Sequence, residues 1–228
     1  LGVFLGTGAL AAILVRYTGG DHRALLSAVV FPNNGNMGLP LCLFAFGEQG
    51  LALGLSFFLV QMTALMTAGV ALMSRAGTGF LAMARDLAKQ PLIYSIVIAL
   101  WLLVSDTTLP VWAGTTVDLL AGFTIPLMLM TLGVSLSNLN TSGWWRSIGF
   151  SMLRIGGGLV FAWAIISWLG ITGTAKNVVL LQSIMPSAVL NYLLALKFDR
   201  DPNAVAGIVV ASTVMALLAV PVLLVFLI

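Results

Sequence analysis

The sequence has few of the charged residues that give a water-soluble domain its surface. Only 7% of the 228 residues are charged, against roughly a quarter in an ordinary soluble domain. Hydrophobic residues make up 60% of the chain, more apolar surface than a water-soluble fold of this size is able to hide. We therefore expect a protein whose solvent is the lipid bilayer.

Cysteine and histidine are also scarce, with one residue of each. The single Cys42 excludes a disulfide framework, and its apolar surroundings indicate a small buried thiol. His22 stands between Asp21 and Arg23 in a predicted loop, which favours a solvated role. Neither residue predicts a metal or redox site.

Motifs for catalysis are missing from the apolar stretches. There is no His-Glu-x-x-His, no pair of aspartates and no Ser, His and Asp set within them, so hydrolysis inside the membrane has no machinery. We therefore expect no enzyme. The absent aspartate pair also argues against a sodium/proton antiporter, which needs titratable carboxylates at membrane depth.

What the chain has is a series of long apolar runs separated by short polar breaks. Each run approaches the roughly 20 residues that a membrane-spanning helix needs, and none alternates as the strands of a membrane β-barrel do. The sequence therefore predicts an all-α integral membrane protein of about eight helices, at 1–15, 24–46, 50–73, 91–105, 114–136, 147–169, 175–196 and 203–228.

The basic residues predict the orientation of these helices. Loops on one side collect Arg16, Arg23, Arg75, Arg85, Lys89, Arg146, Lys197 and Arg200, whereas the other side has only Lys176. Because cytoplasmic loops are enriched in Lys and Arg, we assign the first side to the cytoplasm and predict a multi-pass protein of the cytoplasmic (inner) membrane. Basic residues spread over loops do not indicate nucleic-acid binding.

Two of the predicted spans are interrupted by proline, glycine and asparagine. The second contains Phe31 to Pro40, with the letters FPNNGNMGLP, and the seventh contains Gln182 to Tyr192, with QSIMPSAVLNY. Proline removes a hydrogen-bond donor and glycine lets the backbone leave helical geometry. Such breaks are tolerated at membrane depth where they face protein or a water-filled cavity, so each span should be two half-helices beside an interior site.

The broken spans lie five apart, and because five is odd they run in opposite directions. This is the relation expected of an inverted repeat in a secondary transporter. We predict that 1–74 is the remainder of the first repeat, that 75–90 is a cytoplasmic linker, and that 91–228 is the second repeat. The same pairing leaves the fourth and fifth spans without partners, so we expect two further helices to precede Leu1.

At these motifs the sequence resembles the auxin efflux carrier family, whose bacterial members include malate and malonate permeases. The resemblance covers essentially the whole chain. It is carried by Asn33 to Pro40, by Ile125-Pro126 to Leu136, by Met185 to Ala195 with Asp199, and by Ala211-Ser212-Thr213 with Pro221.

The resemblance implies a ten-helix, five-plus-five inverted-repeat carrier similar to the bile-acid sodium symporters, in which two broken helices cross and transport follows an elevator-type movement. Pro40 matches the crossover proline of the family's fourth helix. Asn191 stands where plant members have proline, which is a departure from the pattern. Family analogy also implies a homodimer.

The residues around the breaks form the candidate site. Half-helix N-termini attract carboxylates, and asparagine amides add donors without burying a cation. The candidate substrate-binding residues are Asn33, Asn34, Asn36, Pro40, Gln182, Ser183, Pro186, Asn191 and Tyr192. The alternative is that the asparagines only cap the broken helices and satisfy stray backbone groups.

Arg154 lies within the sixth predicted span. An ionisable residue inside a membrane is a functional hypothesis by default. The alternative, which we favour from sequence, is that this long side chain reaches the cytoplasmic headgroups.

These observations predict a secondary carrier for a small organic anion, and the resemblance supplies the substrate class, a carboxylate such as malate, malonate or an auxin-like acid. We expect no cofactor, with sodium or proton coupling left open, and the lipid bilayer as the other partner. Two alternatives remain: a sodium-coupled symporter of the bile-acid type, and a transport-dead membrane sensor that binds a ligand and signals to another protein.

Overall fold

The computed structural model describes residues 2–73, 91–105, 107–137 and 143–227. Within these ranges the chain is helical and no strand is present; the β-type pairing is an isolated bridge between Pro32 and Ser187. The α-helices are α1 (Gly2–Thr18), α2 (His22–Val30), α3 (Leu39–Ala64), α4 (Val70–Met73), α5 (Pro91–Val104), α6 (Val111–Ser137), α7 (Trp144–Met152), α8 (Gly158–Leu169), α9 (Gly173–Ser183), α10 (Val189–Lys197) and α11 (Pro202–Leu227).

Three π-helical turns join some of these helices into longer rods. They are Asn34–Gly38 before α3, Leu65–Gly69 between α3 and α4, and Leu153–Gly157 between α7 and α8. Each of the three ends at a glycine. Single π turns inside α-helices are rare and occur frequently at functional sites.

Within the described ranges, four helical stretches are long and apolar enough to cross a bilayer: Asn34–Met73, Val111–Thr131, Trp144–Leu169 and Pro202–Leu227. Helix α1 is a shorter apolar helix. Large apolar side chains such as Trp163, Leu218 and Phe226 are exposed on the outside of the helices, as expected for residues that face lipid. The protein is an all-α membrane protein.

The helices fall where the hydrophobic runs predict them. The predicted division between the second and third spans, at 46–50, contains Gly47, whose φ of 65° interrupts α3. The predicted linker 75–90 lies outside the described residues. The division into two inverted repeats with ten helices remains a prediction.

Polar contacts mark two ends of the helix assembly. At one end Arg200 pairs with Asp21 at 3.4 Å and donates to the Met73 carbonyl at 3.0 Å, while Arg146 donates to the Gly19 carbonyl. At the other end Thr174 donates to Gln49 at 3.4 Å. Two of the residues from the basic loops, Arg146 and Arg200, thus lie at the same end of the described helices.

Two apolar clusters lie on either side of the helix breaks. One joins α1, α2 and α11 through residues such as Val15, Leu25 and Val205. The other joins the Asn34–Gly38 turn, α9 and α11 through Met37, Leu181 and Ala216, and it includes the buried Cys42. The polar breaks are therefore held between apolar surfaces.

Candidate functional site

The first break follows α2. Residue Phe31 has extended backbone geometry, with φ −104° and ψ 103°, and Asn33 is also non-helical. A residue before proline is pushed out of helical geometry and the proline itself has no N–H to donate, so Pro32 explains why α2 ends at Val30. The helix resumes with the π turn at Asn34.

The second break follows α9. The helix ends at Ser183, and the chain resumes as α10 at Val189. Pro186 stands in the middle of the non-helical residues and has the same two effects on its neighbours. The Ser187 N–H, which has no helical partner, donates to the Ser212 hydroxyl of α11 at 3.0 Å.

The two breaks contact each other directly. The Asn33 N–H donates to the Pro186 carbonyl at 2.7 Å, and the Ala188 N–H donates to the Phe31 carbonyl at 3.1 Å. The chains are antiparallel at this point. We refer to residues 31–38 and 184–188 together as the crossing. Main-chain groups that have no helical partner at one break are thus hydrogen-bonded to main-chain groups of the other break.

Two amide side chains hold the crossing together. Asn191 donates to the Phe31 carbonyl at 2.8 Å and to the Ser187 hydroxyl at 3.2 Å, and its oxygen accepts from Ser27 at 3.1 Å. Gln61 of α3 donates to the Pro32 carbonyl at 2.7 Å. Asn191 therefore uses both of its N–H groups on protein partners.

Arg154 corrects an expectation from sequence. Its side chain is wholly buried instead of reaching toward the headgroups. Its guanidinium donates to three main-chain carbonyls, those of Val29 at 2.9 Å, Ser183 at 2.7 Å and Met185 at 3.2 Å. These carbonyls belong to the last turns of α2 and α9 and to the second break, so snorkelling is wrong and Arg154 lies against the crossing.

Several buried polar atoms at the crossing have no hydrogen-bond partner among the described residues. They are both side-chain atoms of the Asn34 amide, Oε1 of Gln61, Oε1 of Gln182 and Oγ of Ser183. Asn34, Gln182 and Ser183 have no exposed surface. Buried polar groups are hydrogen-bonded in the great majority of cases, so these unpaired atoms are exceptions that need a physical explanation.

The remaining candidates have different positions. Pro40 is buried in the first turn of α3, and Asn36 and Tyr192 are only partly buried. Asn33 contributes its main-chain N–H to the crossing. The structure therefore brings the second and seventh predicted spans together through main-chain hydrogen bonds between the breaks, and it uses the Asn191 side chain for contacts between them.

Sequence reasoning missed Gln61, Ser27 and Ser212, which complete the hydrogen bonds of the breaks. Gln61 carries the clearest signal because it is a polar residue in the middle of an apolar span. Polar side chains of this kind often join helices to one another.

Two of the cavities that the described residues enclose are large and mainly apolar. A cavity of about 340 Å³ is lined by residues such as Phe4, Phe57 and Val178, and another of about 500 Å³ by residues such as Leu159 and Met215. Neither cavity is lined by a candidate site residue. Among the described residues no group of three or more His, Cys, Asp or Glu side chains is placed to hold a metal ion.

Comparison with known proteins places this geometry in context. The family model described as "Membrane transport protein" matches residues 1–224. An "Uncharacterized transporter" of Methanocaldococcus jannaschii is 29% identical over 202 residues, which are 86% of this chain and 65% of that protein. An "Uncharacterized transporter" of Methanothermobacter thermautotrophicus is 28% identical over 227 residues, or 94% of this chain and 72% of that protein. The chain thus spans about two thirds of the length of these curated relatives.

Proposed function

The chain belongs to the membrane transport protein family that the auxin efflux carriers define, and from this premise we propose that it carries a small organic anion across the membrane. It is a multi-pass membrane protein whose relatives are named as transporters. The substrate class, the site and the movement described below are our proposal for the whole protein.

The observation that carries the proposal is the Asn34 amide. Both of its polar atoms are buried and without a partner among the described residues. It stands at the start of the half-helix that follows the first break, and the free N–H groups of such an end favour a negative charge. A carboxylate bound there accepts from the Asn34 amide and from these N–H groups.

The other unpaired atoms complete the site. Ser183 Oγ is able to donate to a carboxylate, whereas Oε1 of Gln182 and of Gln61 accept hydrogen bonds. A small acid that carries a hydroxyl or N–H donor satisfies both kinds of group. This pattern supports an organic acid with a second polar group over a simple inorganic anion.

Movement has to accompany binding because Asn34, Gln182 and Ser183 are fully buried in this structure. We propose that the crossing opens alternately toward the two sides of the membrane, as an elevator-type or rocking carrier does. Broken helices at membrane depth suit this role since their free groups serve the ligand in place of the helical ladder.

Uptake by proteoliposomes tests the proposal. The full-length protein is reconstituted, and uptake of labelled malate, malonate and indole-3-acetate is measured with and without a sodium gradient. We expect saturable uptake of one acid, and we expect Asn34→Leu to abolish it because the carboxylate loses its amide donor.

The matched control is Asn203→Leu, the same substitution at an exposed position at the start of α11, which should transport normally. Saturable uptake that survives Asn34→Leu unchanged would contradict the assigned site. If none of the acids is taken up, the organic-anion class itself is wrong.

A further inference from the structure

The strongest feature that the proposed function leaves unused is the environment of Arg154. Its Nη1 donates to the Val29 carbonyl, its Nη2 to the Ser183 carbonyl and its Nε to the Met185 carbonyl, at 2.9, 2.7 and 3.2 Å. Two of the oxygens, those of Ser183 and Met185, come from the end of α9 and the break that follows it, and the third, that of Val29, comes from a distant part of the chain. They converge on one planar cation.

These carbonyls are electronegative for a structural reason. Val29 lies in the last turn of α2 and Ser183 is the last residue of α9. The last carbonyls of a helix have no intrahelical partner and carry its partial negative charge. In other transporters, unwound carbonyls and the C-terminal ends of half-helices coordinate a sodium ion or bind a proton.

The positive charge of Arg154 has no acidic partner. Among the described residues no salt bridge includes Arg154, and its hydrogen bonds go to main-chain carbonyls. A guanidinium has five N–H donors and remains protonated in proteins. Three are used on the carbonyls, which leaves two for another acceptor.

Gly158 permits the close approach that this arrangement needs. A Cβ at this position would overlap the Ser183 carbonyl and lie 3.3 Å from Nη2 of Arg154. The helix that carries Arg154 therefore passes directly against the end of α9. The close backbone contact at Gly158 thus brings the Arg154 side chain within reach of the Ser183 carbonyl.

We propose that the Arg154 guanidinium is a built-in cation: it fills a monovalent-cation site made by the Val29, Ser183 and Met185 carbonyls and supplies the positive charge that attracts the transported carboxylate. The second half of this inference rests on the proposed function. It follows that uptake needs no sodium, because the position that a coupling cation would take is already occupied.

Chemical rescue tests the site without any substrate. In Arg154→Ala the three carbonyls lose their donors while the space of the side chain is left open. The thermal midpoint of the purified full-length variant should fall, and low millimolar guanidinium chloride should restore at least half of the fall. Tetramethylammonium, which has no N–H, should restore none of it.

Arg146→Ala is the matched control. Arg146 lies on the same rod as Arg154, is only partly buried and donates to a loop carbonyl, that of Gly19. Its loss should not be rescued by guanidinium. A failure of guanidinium to raise the midpoint of Arg154→Ala, or an equal rise in both variants, would overturn the cation site.

Arg154→Lys and Arg154→Gln provide a second measurement if the alanine variant does not fold. Lysine keeps the charge and glutamine removes it. The lysine variant should retain sodium-independent uptake at a reduced rate, whereas the glutamine variant should fall roughly tenfold or more below it, the change in rate that 1.4 kcal/mol produces. Equal uptake by the two, or a sodium requirement in the wild type, would refute the role of the charge.

The two proposals fail in distinguishable ways. Rescue of the thermal midpoint without uptake of any acid would support the cation site and contradict the transport of organic anions. Uptake of an acid, with no rescue by guanidinium and with equal uptake rates in the lysine and glutamine variants, would support the carrier and contradict the proposed role of Arg154.

Discussion

The two breaks of the crossing are built from similar residues but are satisfied differently. In the second break, Arg154 and Ser212 meet main-chain groups of residues 183–187. In the first break Gln61 meets the Pro32 carbonyl, while the amide of Asn34 has no partner among the described residues. Side chains from outside the second break therefore bind its main-chain groups, although Oγ of Ser183 and Oε1 of Gln182 at its start are unpaired among the described residues. In the first break both polar atoms of one amide, that of Asn34, are unpaired.

The buried polar side chains at the crossing therefore differ in whether they have hydrogen-bond partners. An unpaired buried polar group destabilises the folded state by about 1–3 kcal/mol, and such a group persists where another role requires it. Polar residues in an apolar interior are thus of two kinds here. Asn191 and Arg154 bind main-chain groups, whereas the Asn34 amide has no partner among the described residues and is the group that we propose binds the ligand. Their substitutions should have opposite consequences for stability.

The largest expected effect comes from Gly158, on which the second break depends. Gly158→Val places a side chain against the Ser183 carbonyl and next to Arg154, and we expect overpacking to lower stability by about 3 kcal/mol. The thermal midpoint of the purified protein should fall by about 6–12 °C. Gly156→Val, two residues away, is the control because its added Cβ meets nothing within 4 Å. A similar fall of the thermal midpoint in this control would show that helix propensity is responsible and not the contact with Ser183.

A smaller loss is expected at Asn191, which joins the two breaks. Asn191→Leu leaves the Phe31 carbonyl and the hydroxyls of Ser27 and Ser187 without this partner, so stability should fall by about 2 kcal/mol. Thermal unfolding should detect a shift of about 4–8 °C, against little change for Asn203→Leu at an exposed position. A variant that unfolds like the wild type but no longer transports would instead place Asn191 among the substrate ligands.

The smallest change in stability is expected at Asn34, in the first break. Asn34→Leu removes two buried polar atoms that have no partner, so the thermal midpoint should stay the same or rise by the equivalent of up to about 1 kcal/mol. The same variant should lose uptake. A fall in the thermal midpoint comparable to that of Asn191→Leu would contradict the prediction that Asn34 contributes nothing to stability.

Much of the fold was predictable because local signals and tertiary structure agree. Apolar runs of the length of a bilayer became helices, Pro32 and Pro186 ended α2 and α9, and Gly47 interrupts α3 where a division between spans was predicted. The family resemblance also implied that the two broken helices would cross. All of these signals are read from short stretches of sequence.

The contacts that define the site were not predictable in the same way. Gln61 and Pro32 are 29 residues apart, and Arg154 and Val29 are 125 apart. No periodicity specifies such pairs. For Arg154 the sequence offered two outcomes, and the length of the side chain favoured the headgroups. The three carbonyls that bind Arg154 are free to do so because two helices end beside it. This proximity arises only in the folded protein.

If the crossing moves as we propose, the buried guanidinium would also make transport responsive to voltage. Moving one elementary charge through the membrane field involves about 2.3 kcal/mol per 100 mV. An empty crossing that carries the positive charge of Arg154 through part of this field would be driven in one direction by the resting potential. The same crossing loaded with a monovalent anion would move as a neutral unit, so the potential would act on the return of the empty carrier and not on the passage of its cargo.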